Sequence, residues 1–524
     1  MKNAVLNYDA AKNWGIKKKD VFAKANAINS VLASGIWYKF RAPEEGIYKI
    51  TRSQLADLGI DAANVDPRTI KIYNNGGYVL PEDPTTNAPT DLVENAIIVV
   101  GEEDGRFDDN DYILFYGRGV DFWEYNSLNK RVVRNKHWYT KNNYYWLTSG
   151  GVEGKRIENK NSLNESVFYN QTSTQAFAFV DKDSVNLIKS GRVYFVDKFD
   201  SSNDSQNESK TYINTLNNIL PGSEIEYSFT FGNSAKTSLS LKLYENNNLF
   251  YSQNISGSSG RYEAVRLTSR SVKFAATLPE DRSVLKINFD TRPNTSDAGY
   301  LDFIELKYSK TLSAVMDQLT FFSKDTSSII YYKLFNFSNS DIYVFDVTDY
   351  SSVKRIANAH VTGSEFRFQV NEVSGNVSKY IASNSSAFKQ IQSIEKEENS
   401  NIHGILQGAE YVIITDKTFS EQAAKLKEYR ESNNNYSVGI FYLDEIVNEF
   451  SGGLTDPTAI RNFLKYAYNN WTEKPFYVLL FGDGHYDILQ KEGNYPIYVY
   501  TYQSVNSYEG VSTFTTDDYF GRII

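Results

Sequence analysis

The chain has 524 residues, which is too long for one hydrophobic core, so three or four domains are expected. Its net charge of −9 and the lack of a basic block argue against a nucleic-acid partner. It contains no cysteine, which excludes disulfides, thiolate metal sites and a cysteine nucleophile within this chain.

The two ends of the sequence carry little pattern. Residues 1–22 have no continuous apolar run, so we do not expect a signal peptide, and no apolar run of about 18 residues predicts a membrane-spanning helix. We interpret residues 1–34 as a linker or the remnant of a preceding region. Because a strand is predicted to begin in the last residues, 517–524, we expect both ends to be cut from a longer protein.

Residues 35–185 predict an aromatic-rich β domain. Five of the six tryptophans precede residue 147, and Asn75-Gly76-Gly77 predicts a tight turn between apolar flanks. The acidic run Asp104–Asp111 could hold structural calcium, but its glycine does not take the sixth position of an EF-hand loop. We therefore favour a solvated acidic turn there.

Residues 186–310 predict a β-sandwich of jelly-roll type. Apolar residues alternate with polar ones at Leu239, Leu241 and Leu243, which is typical of a strand with one buried face. If aromatic residues of this unit are exposed, they could stack on sugars. Alternation does not show which face of the sheet is exposed to solvent, and we favour the alternative that these aromatic residues lie in the core. Residues 311–400 predict a further β-rich domain that ends in a linker.

After residue 400 the pattern changes to alternating strands and helices. Apolar strands are predicted at 410–415, 437–443 and 476–481, with helices at 419–432 and after Asp456-Pro457. This order predicts a parallel, doubly wound sheet with right-handed crossovers. Ligands bind beyond the carboxyl ends of the strands in such sheets, where Asp416 and Asp483 lie.

Gly482, Asp483 and Gly484 follow the third of these strands and form a candidate binding turn. The glycines allow a sharp turn and a close approach by a ligand, and the carboxylate could bind a cationic substrate group. The alternative, which spacing alone favours, is a loop aspartate that only caps the next turn. Asp517–Asp518 could bring a second carboxylate pair to the sheet edge, or form a turn before the next strand.

The four histidines are the remaining candidates for chemistry. His485 could act as a general base, but no serine or threonine lies in a recognisable nucleophile elbow, so a packing or surface role is favoured. His137, His360 and His403 have no companion at metal-ligand spacing, so we do not expect zinc.

Several segments together resemble the gingipain-type cysteine peptidases. In the last part of the chain these segments are YVIITD, DPTAIRNFLKYAYNNW, FYVLLFGDGHYD, YTYQS and TTDDYFG, which resemble the first half of the peptidase domain. Upstream, VLASGIWYKFRAPEEGIYKI, DPRTIKIYNNGGYVLPE and ENAIIVVGEEDGRFDDNDYILFYGRG resemble the gingipain-like sortases of the type IX secretion system. The resemblance covers roughly residues 30–524, and within them 401–524 resemble half of a peptidase domain.

The resemblance implies β-rich domains followed by the first half of a caspase-like α/β domain. The family uses a His–Cys dyad in which the thiolate attacks a peptide carbonyl. Its Gly-His-Gly and cysteine motifs do not occur here, so the dyad is expected beyond Ile524, His485 is not assigned to it, and this chain alone should be inactive. Asp483 matches the aspartate that helps arginine-specific members hold a basic side chain.

The resemblance also implies partners and a location. Such an enzyme would remove C-terminal sorting domains from exported cargo, attach the cargo to the cell surface and work with other type IX secretion components. The expected location is the outer membrane or cell surface of a Bacteroidetes-type bacterium, with no cofactor apart from the calcium considered above. The alternative is a non-catalytic surface scaffold or glycan-binding β protein.

Overall fold

The computed structural model of the protein describes residues 28–57, 59–60, 64–201, 205–275, 278–291 and 296–523. The predictions for residues 1–27, including the expected lack of a signal peptide, lie outside the described residues. From residue 28 onwards, several mainly antiparallel β-sheets precede one small parallel sheet flanked by helices.

The strands before the parallel sheet are as follows, in chain order. The first group is β1 (Trp37–Arg41), β2 (Gly46–Thr51), β3 (Lys71–Tyr73), β4 (Glu94–Asn95), β5 (Ile97–Val100), β6 (Tyr112–Gly117), β7 (Asp121–Asn126), β8 (Arg131–Lys136), β9 (Tyr144–Thr148), β10 (Glu158–Asn161) and β11 (Tyr169–Gln171). The second is β12 (Ser173–Val180), β13 (Asp197–Phe199), β14 (Ser209–Thr215), β15 (Glu224–Asn233), β16 (Leu239–Glu245), β17 (Asn248–Ile255), β18 (Arg266–Ala275), β19 (Arg282–Phe289) and β20 (Gly299–Thr311). The third is β21 (Gln318–Phe322), β22 (Ser328–Leu334), β23 (Ile342–Asp346), β24 (Lys354–Ala357), β25 (His360–Thr362), β26 (Glu365–Glu372), β27 (Lys379–Asn384) and β28 (Gln392–Glu397).

The last part of the chain contains β29 (Tyr411–Thr415), β30 (Val438–Tyr442), β31 (Tyr477–Phe481), β32 (Tyr502–Gln503) and β33 (Thr515–Thr516). The α-helices are α1 (Arg52–Asp57), α2 (Ser420–Asn434), α3 (Leu443–Ser451) and α4 (Thr458–Asn470).

The first sheet joins distant parts of the sequence. Strand β1 pairs antiparallel with β9 on one side and with β28 on the other. Strand β28 lies in the segment that the sequence suggests is a linker, and Ile394 packs against the same core as Phe40. The polar composition of β28 fits an edge strand, of which only one residue in two touches the core.

Two β-sandwiches follow. One packs the sheet β12–β20–β15–β18 against the sheet β14–β19–β16–β17. The other packs β10–β24–β23–β27–β21 against β11–β22–β26–β25, so strands on both sides of the first sandwich build the second. The alternation predicted at Leu241 and Leu243 is confirmed, since both are fully buried.

A buried carboxylate lies inside the first sandwich. Glu245 has no exposed surface, and it accepts hydrogen bonds from Tyr227 Oη at 2.7 Å, Ser283 Oγ at 2.8 Å and the Val284 amide at 2.7 Å. Asn246 Nδ2 donates a fourth hydrogen bond at 3.0 Å, and these donors replace the water that the carboxylate loses on folding, as buried charges require.

The parallel sheet has the order β30–β29–β31. Its central strand β29 is buried along its whole length: Val412 and Ile414 face α3 and α4, while Tyr411 and Ile413 face α2. Helices therefore cover both faces of the central strand, and the predicted doubly wound arrangement is confirmed.

Helix α3 is missing from the sequence prediction. The apolar run 437–443 predicts one strand, but the strand ends at Tyr442 and the helix begins at the next residue. Gly452, which ends α3 with a φ of +67°, and the acidic residues of its first turn are the signals that indicate this helix.

The predicted fold class is confirmed: β-rich domains that include a sandwich precede the start of a caspase-like α/β unit. The boundaries of the five predicted units, at 1–34, 35–185, 186–310, 311–400 and 401–524, stay predictions.

Candidate functional site

The candidate site lies at the carboxyl edge of the parallel sheet. In the register of β29 with its neighbours, Thr415 lies beside Tyr442 on one side and Phe481 on the other, so all three strands end together. Thr415 Oγ1 donates a hydrogen bond of 2.7 Å to the Phe481 carbonyl. The residues that follow these strands therefore meet at one edge, the usual place for a ligand in such sheets.

The Gly482–Gly484 turn is held close to a second segment. Gly482 has a φ of +146°, which L-residues rarely adopt, and a Cβ there would lie 2.7 Å from Tyr498 Cβ. A Cβ on Gly484 would lie 2.5 Å from Thr501 Cγ2. The Asp483 carbonyl accepts hydrogen bonds from the Tyr498 amide at 2.9 Å and the Val499 amide at 3.3 Å. Both glycines are thus required by close packing.

The Asp483 side chain is exposed beside this turn. Its carboxylate makes no hydrogen bond or ion pair with any residue that the structure describes, so it does not cap the turn. The backbone at residue 483 is fixed while the carboxylate is free, an arrangement that could take a cationic group at the sheet edge. Its assignment to a substrate pocket, with Gly482 and Gly484, stays a prediction.

The His485 side chain packs within the same turn. Its ring stacks on Tyr495 with the centroids 3.9 Å apart, and its Nδ1 accepts a 3.1 Å hydrogen bond from the Asp487 amide. No hydroxyl group among the described residues hydrogen-bonds to the ring. The geometry matches the packing role that the sequence favours for this histidine.

Asp416 and the pair Asp517–Asp518 are the other carboxylates that the sequence places near this edge. Asp416 Oδ1 accepts a 2.8 Å hydrogen bond from the Thr418 amide and caps a short 3₁₀ turn. Asp517 and Asp518 are exposed at the start of another 3₁₀ turn, next to the buried Tyr519. The carboxylates of Asp483, Asp517 and Asp518 have no hydrogen bond or ion pair with a described residue, whereas that of Asp416 binds its own turn.

The acidic turn at Asp104–Asp111 is closed by its own backbone. Asp111 Oδ2 accepts a 2.6 Å hydrogen bond from the Asp108 amide, and Asp104 Oδ1 accepts one of 2.9 Å from Arg106. No group of three or more acidic or histidine side chains in the described ranges is arranged to hold a metal ion. The aromatic residues Phe229, Phe231 and Tyr227 of the sandwich lie in its core.

The segment that follows the Gly482–Gly484 turn is held in place by residues that the sequence analysis missed. Arg192 Nη1 forms a 2.5 Å ion pair with Glu82, and Tyr502 Oη donates to the other oxygen of Glu82 at 2.9 Å. The Gly191 amide donates to Gln503 Oε1 at 3.2 Å. No local pattern indicates these contacts, because they join three distant parts of the chain.

A buried aspartate and a buried histidine meet where the first β unit touches α4. Asp456 accepts hydrogen bonds from the Leu80 amide at 3.0 Å and the Thr458 amide at 2.8 Å, and His137 Nε2 lies 3.6 Å from its Oδ2. Burial raises the pKa of Asp456 to about 6 and lowers the pKa of His137 to about 3. The helix cap predicted at Asp456 is therefore also a contact between units.

Comparison with known proteins gives a family match for the last part of the chain and a fold for nearly all of it. Residues 405–523 match the sequence profile of Peptidase family C25. Over 95% of its length, the chain is similar to a dimeric, latent form of PorU from Porphyromonas gingivalis, with a TM-score of 0.81 and 22% identity. The chain spans 46% of that protein. The predicted resemblance to gingipain-type peptidases is confirmed for the last part of the chain, and the fold of PorU for nearly all of it.

Other similarities are too weak to support an argument. A CBM36 carbohydrate-binding module in complex with calcium and xylotriose gives a TM-score of 0.16 at 17% identity, over 25% of this chain and 98% of that one. The CBM36-1 domain of a xylanase from the hindgut metagenome of Trinervitermes trinervoides gives a TM-score of 0.17 at 11% identity, over 25% of this chain and 96% of that one. No curated protein matches the sequence. None of the described helices has the length and hydropathy needed to cross a membrane.

Proposed function

We propose that this chain is part of a PorU-like cysteine peptidase or sortase. In this proposal the whole protein removes C-terminal sorting domains from cargo of the type IX secretion system and attaches the cargo to the cell surface. The observation that carries the proposal is the TM-score of 0.81 to PorU together with the C25 profile match at residues 405–523.

The reaction follows from the chemistry of the family. A cysteine thiolate attacks the peptide carbonyl, the peptide bond breaks, and the leaving amine takes a proton while an acyl-enzyme forms. Water releases the cargo as an acid, whereas an amine nucleophile forms a new amide, which is the sortase reaction. The histidine and cysteine of the dyad are expected in the sequence after the part described here.

The role proposed for this chain is recognition of the substrate. The free carboxylate of Asp483, on a turn fixed by Gly482 and Gly484, supports binding of a basic side chain next to the cleaved bond. The β-rich units would position the peptidase domain at the outer membrane or cell surface, where cargo and other secretion components meet it.

The test uses the complete product of the gene that contains this chain. It is incubated with a cargo protein that ends in a sorting domain, with and without a small primary amine, and the products are identified by mass spectrometry. We expect one cleavage that iodoacetamide abolishes, and an amide product when the amine is present. A gene that encodes no cysteine after this segment, or cleavage that is insensitive to iodoacetamide, would refute the proposal.

The same assay tests Asp483. The Asp483→Asn variant should lower kcat/KM by at least about tenfold for a peptide with a basic residue at the cleavage site, because a charge-assisted contact is lost. A neutral residue at that position should show no change. Glu421→Gln, at an exposed position on α2, is the matched control. Equal losses for basic and neutral peptides would contradict a role in specificity.

A further inference from the structure

A cavity of about 330 Å³ lies between the 81–90 segment and helix α4. Three of its residues carry rings that pack together: His403 stacks on Phe450 with the centroids 4.4 Å apart and meets Tyr466 edge-on at 4.6 Å. No residue of the Gly482–Gly484 turn lines it, so it is separate from the candidate peptidase site. Its volume is in the range of small-molecule sites, about 300–1,000 Å³.

The cavity is lined by cations and by no acid. Arg461 and Lys465 are among its lining residues, and no aspartate or glutamate is. Arg461 donates to the carbonyls of Pro81 and Glu82, and Lys465 donates to the carbonyl of Pro84. These neutral partners hold the 81–90 segment but leave both charges without a carboxylate at ion-pair distance in the described part of the chain.

Further donors on the same helix face the cavity. Asn462, Lys465 and Asn469 lie at helical spacing on one side of α4. Lys465 uses one of its three N–H donors on Pro84. The Asn462 carbonyl accepts from Arg461, which leaves its amide donors, and the Asn469 side chain makes no hydrogen bond with a described residue.

Two nitrogens of the lining residues Arg461 and His403 are buried behind the cavity. Nε of Arg461 and Nε2 of His403 are buried without a hydrogen bond to any described residue. The other ring nitrogen of His403 is held by the buried carboxylate of Glu449 at 2.6 Å, which fixes the orientation of the ring. Because neither nitrogen has accessible surface, neither contacts the interior of the cavity, and the polar side chains available to a ligand there include those of Lys465, Asn462 and Asn469.

We propose that this cavity binds a small organic molecule through an oxyanion, either a phosphate or a carboxylate. Lys465 is its principal contact, the amides of Asn462 and Asn469 are secondary contacts, and the organic part lies against the rings of His403 and Phe450. The proposal is independent of the peptidase function, because it rests on residues that are not at the edge of the parallel sheet.

The test measures anion binding by the whole chain. Its melting temperature is followed while inorganic phosphate or acetate replaces chloride at constant ionic strength, and the affinity is confirmed by calorimetry. We expect a saturable rise in Tm with at least one of the two anions. A response to phosphate alone identifies a phosphate ligand, and a response to acetate alone identifies a carboxylate ligand. No saturable response to either would overturn the proposal.

Variants locate the site. Lys465→Met should lower the affinity for the anion by at least about tenfold, whereas Lys425→Met, at an exposed position on α2, should leave the affinity unchanged. Because Lys465 also holds Pro84, Asn469→Ala serves as a second variant that breaks no described hydrogen bond, and it should weaken binding about threefold. Affinities in both variants equal to those of the unmodified chain would also overturn the proposal.

Discussion

Replacing Asp456 by asparagine should change stability in a way that depends on pH. The carboxyl group is fully buried, and its two backbone hydrogen bonds, to the amides of Leu80 and Thr458, offset the cost of burial only in part. Its pKa therefore rises from the usual 3.8 to about 6. A carboxyl whose pKa is higher in the folded protein stabilises the fold less as pH rises from 3.8 to 6, and its contribution is constant above that.

The size of this effect follows from the pKa. A rise from 3.8 to about 6 corresponds to about 3 kcal/mol, of which about 2 kcal/mol fall between pH 4 and pH 7. His137 acts in the opposite direction, because its lowered pKa removes stability as pH falls from 6.5 to 3. It is present in both proteins, so a comparison of the two at each pH largely removes it.

Asparagine has no charge to bury, but it has one acceptor oxygen. Its amide nitrogen would face a backbone donor, Leu80 or Thr458, at a cost of about 1–3 kcal/mol at every pH. We expect Asp456→Asn to be less stable than the unmodified chain by this amount at pH 4. At pH 7 the deficit should shrink by about 2 kcal/mol.

Hydrogen exchange of the Leu80 and Thr458 amides, read by mass spectrometry, measures the local difference in stability between Asp456→Asn and the unmodified chain. Comparing the two proteins at the same pH cancels the intrinsic exchange rates. Glu421→Gln, an exposed acid on α2, should show the same protection as the unmodified chain at both pH values. A deficit in Asp456→Asn that is equal at pH 4 and pH 7 would refute the assignment of a strained, buried charge.

Two further predictions concern the turn and the sandwich. Gly482→Ala should lower local stability by about 1–3 kcal/mol, because the φ of +146° and the contact with Tyr498 both oppose a Cβ. It should therefore speed hydrogen exchange of the Tyr498 amide. Gly521→Ala is the control, since a Cβ there meets no atom within 4 Å, and it should leave this exchange unchanged. Tyr227→Phe removes a donor to the buried Glu245 and should cost about 1.5–3 kcal/mol, seen as lost protection in β15 and β19. Tyr262→Phe, where the side chain is 57% exposed, should leave protection unchanged, and equal effects of the two tyrosine variants would contradict the role of Glu245.

Local pattern predicted the elements that have one buried face and clear ends. The alternation at Leu241 and Leu243 identified a sandwich strand, and the apolar run that includes Ile413 identified the central parallel strand. Helix α3 was missed because it begins directly after Tyr442, without a turn residue between strand and helix.

Long-range contacts could not be predicted from the sequence. Strand β28 is polar, and only its pairing with β1 makes it a strand. At the site, spacing placed Asp416 and Asp483 at strand ends, but it could not show that Asp416 binds the Thr418 amide while Asp483 stays free. The ion pair of Glu82 with Arg192 depends on two units meeting, which no window of sequence contains.

The pairing of β1 with β28 determines when the first sheet can be completed. Asn399, just after β28, bonds to Leu32 across 367 positions of sequence. Closing a loop of that length costs about 5 kcal/mol in chain entropy, and a ribosome needs roughly 20–70 s to make it. During that time one side of β1 carries unpaired backbone groups. Lys39 and Arg41 give β1 two positive charges while this edge is unpaired, and such charges oppose pairing with a strand of another nascent chain.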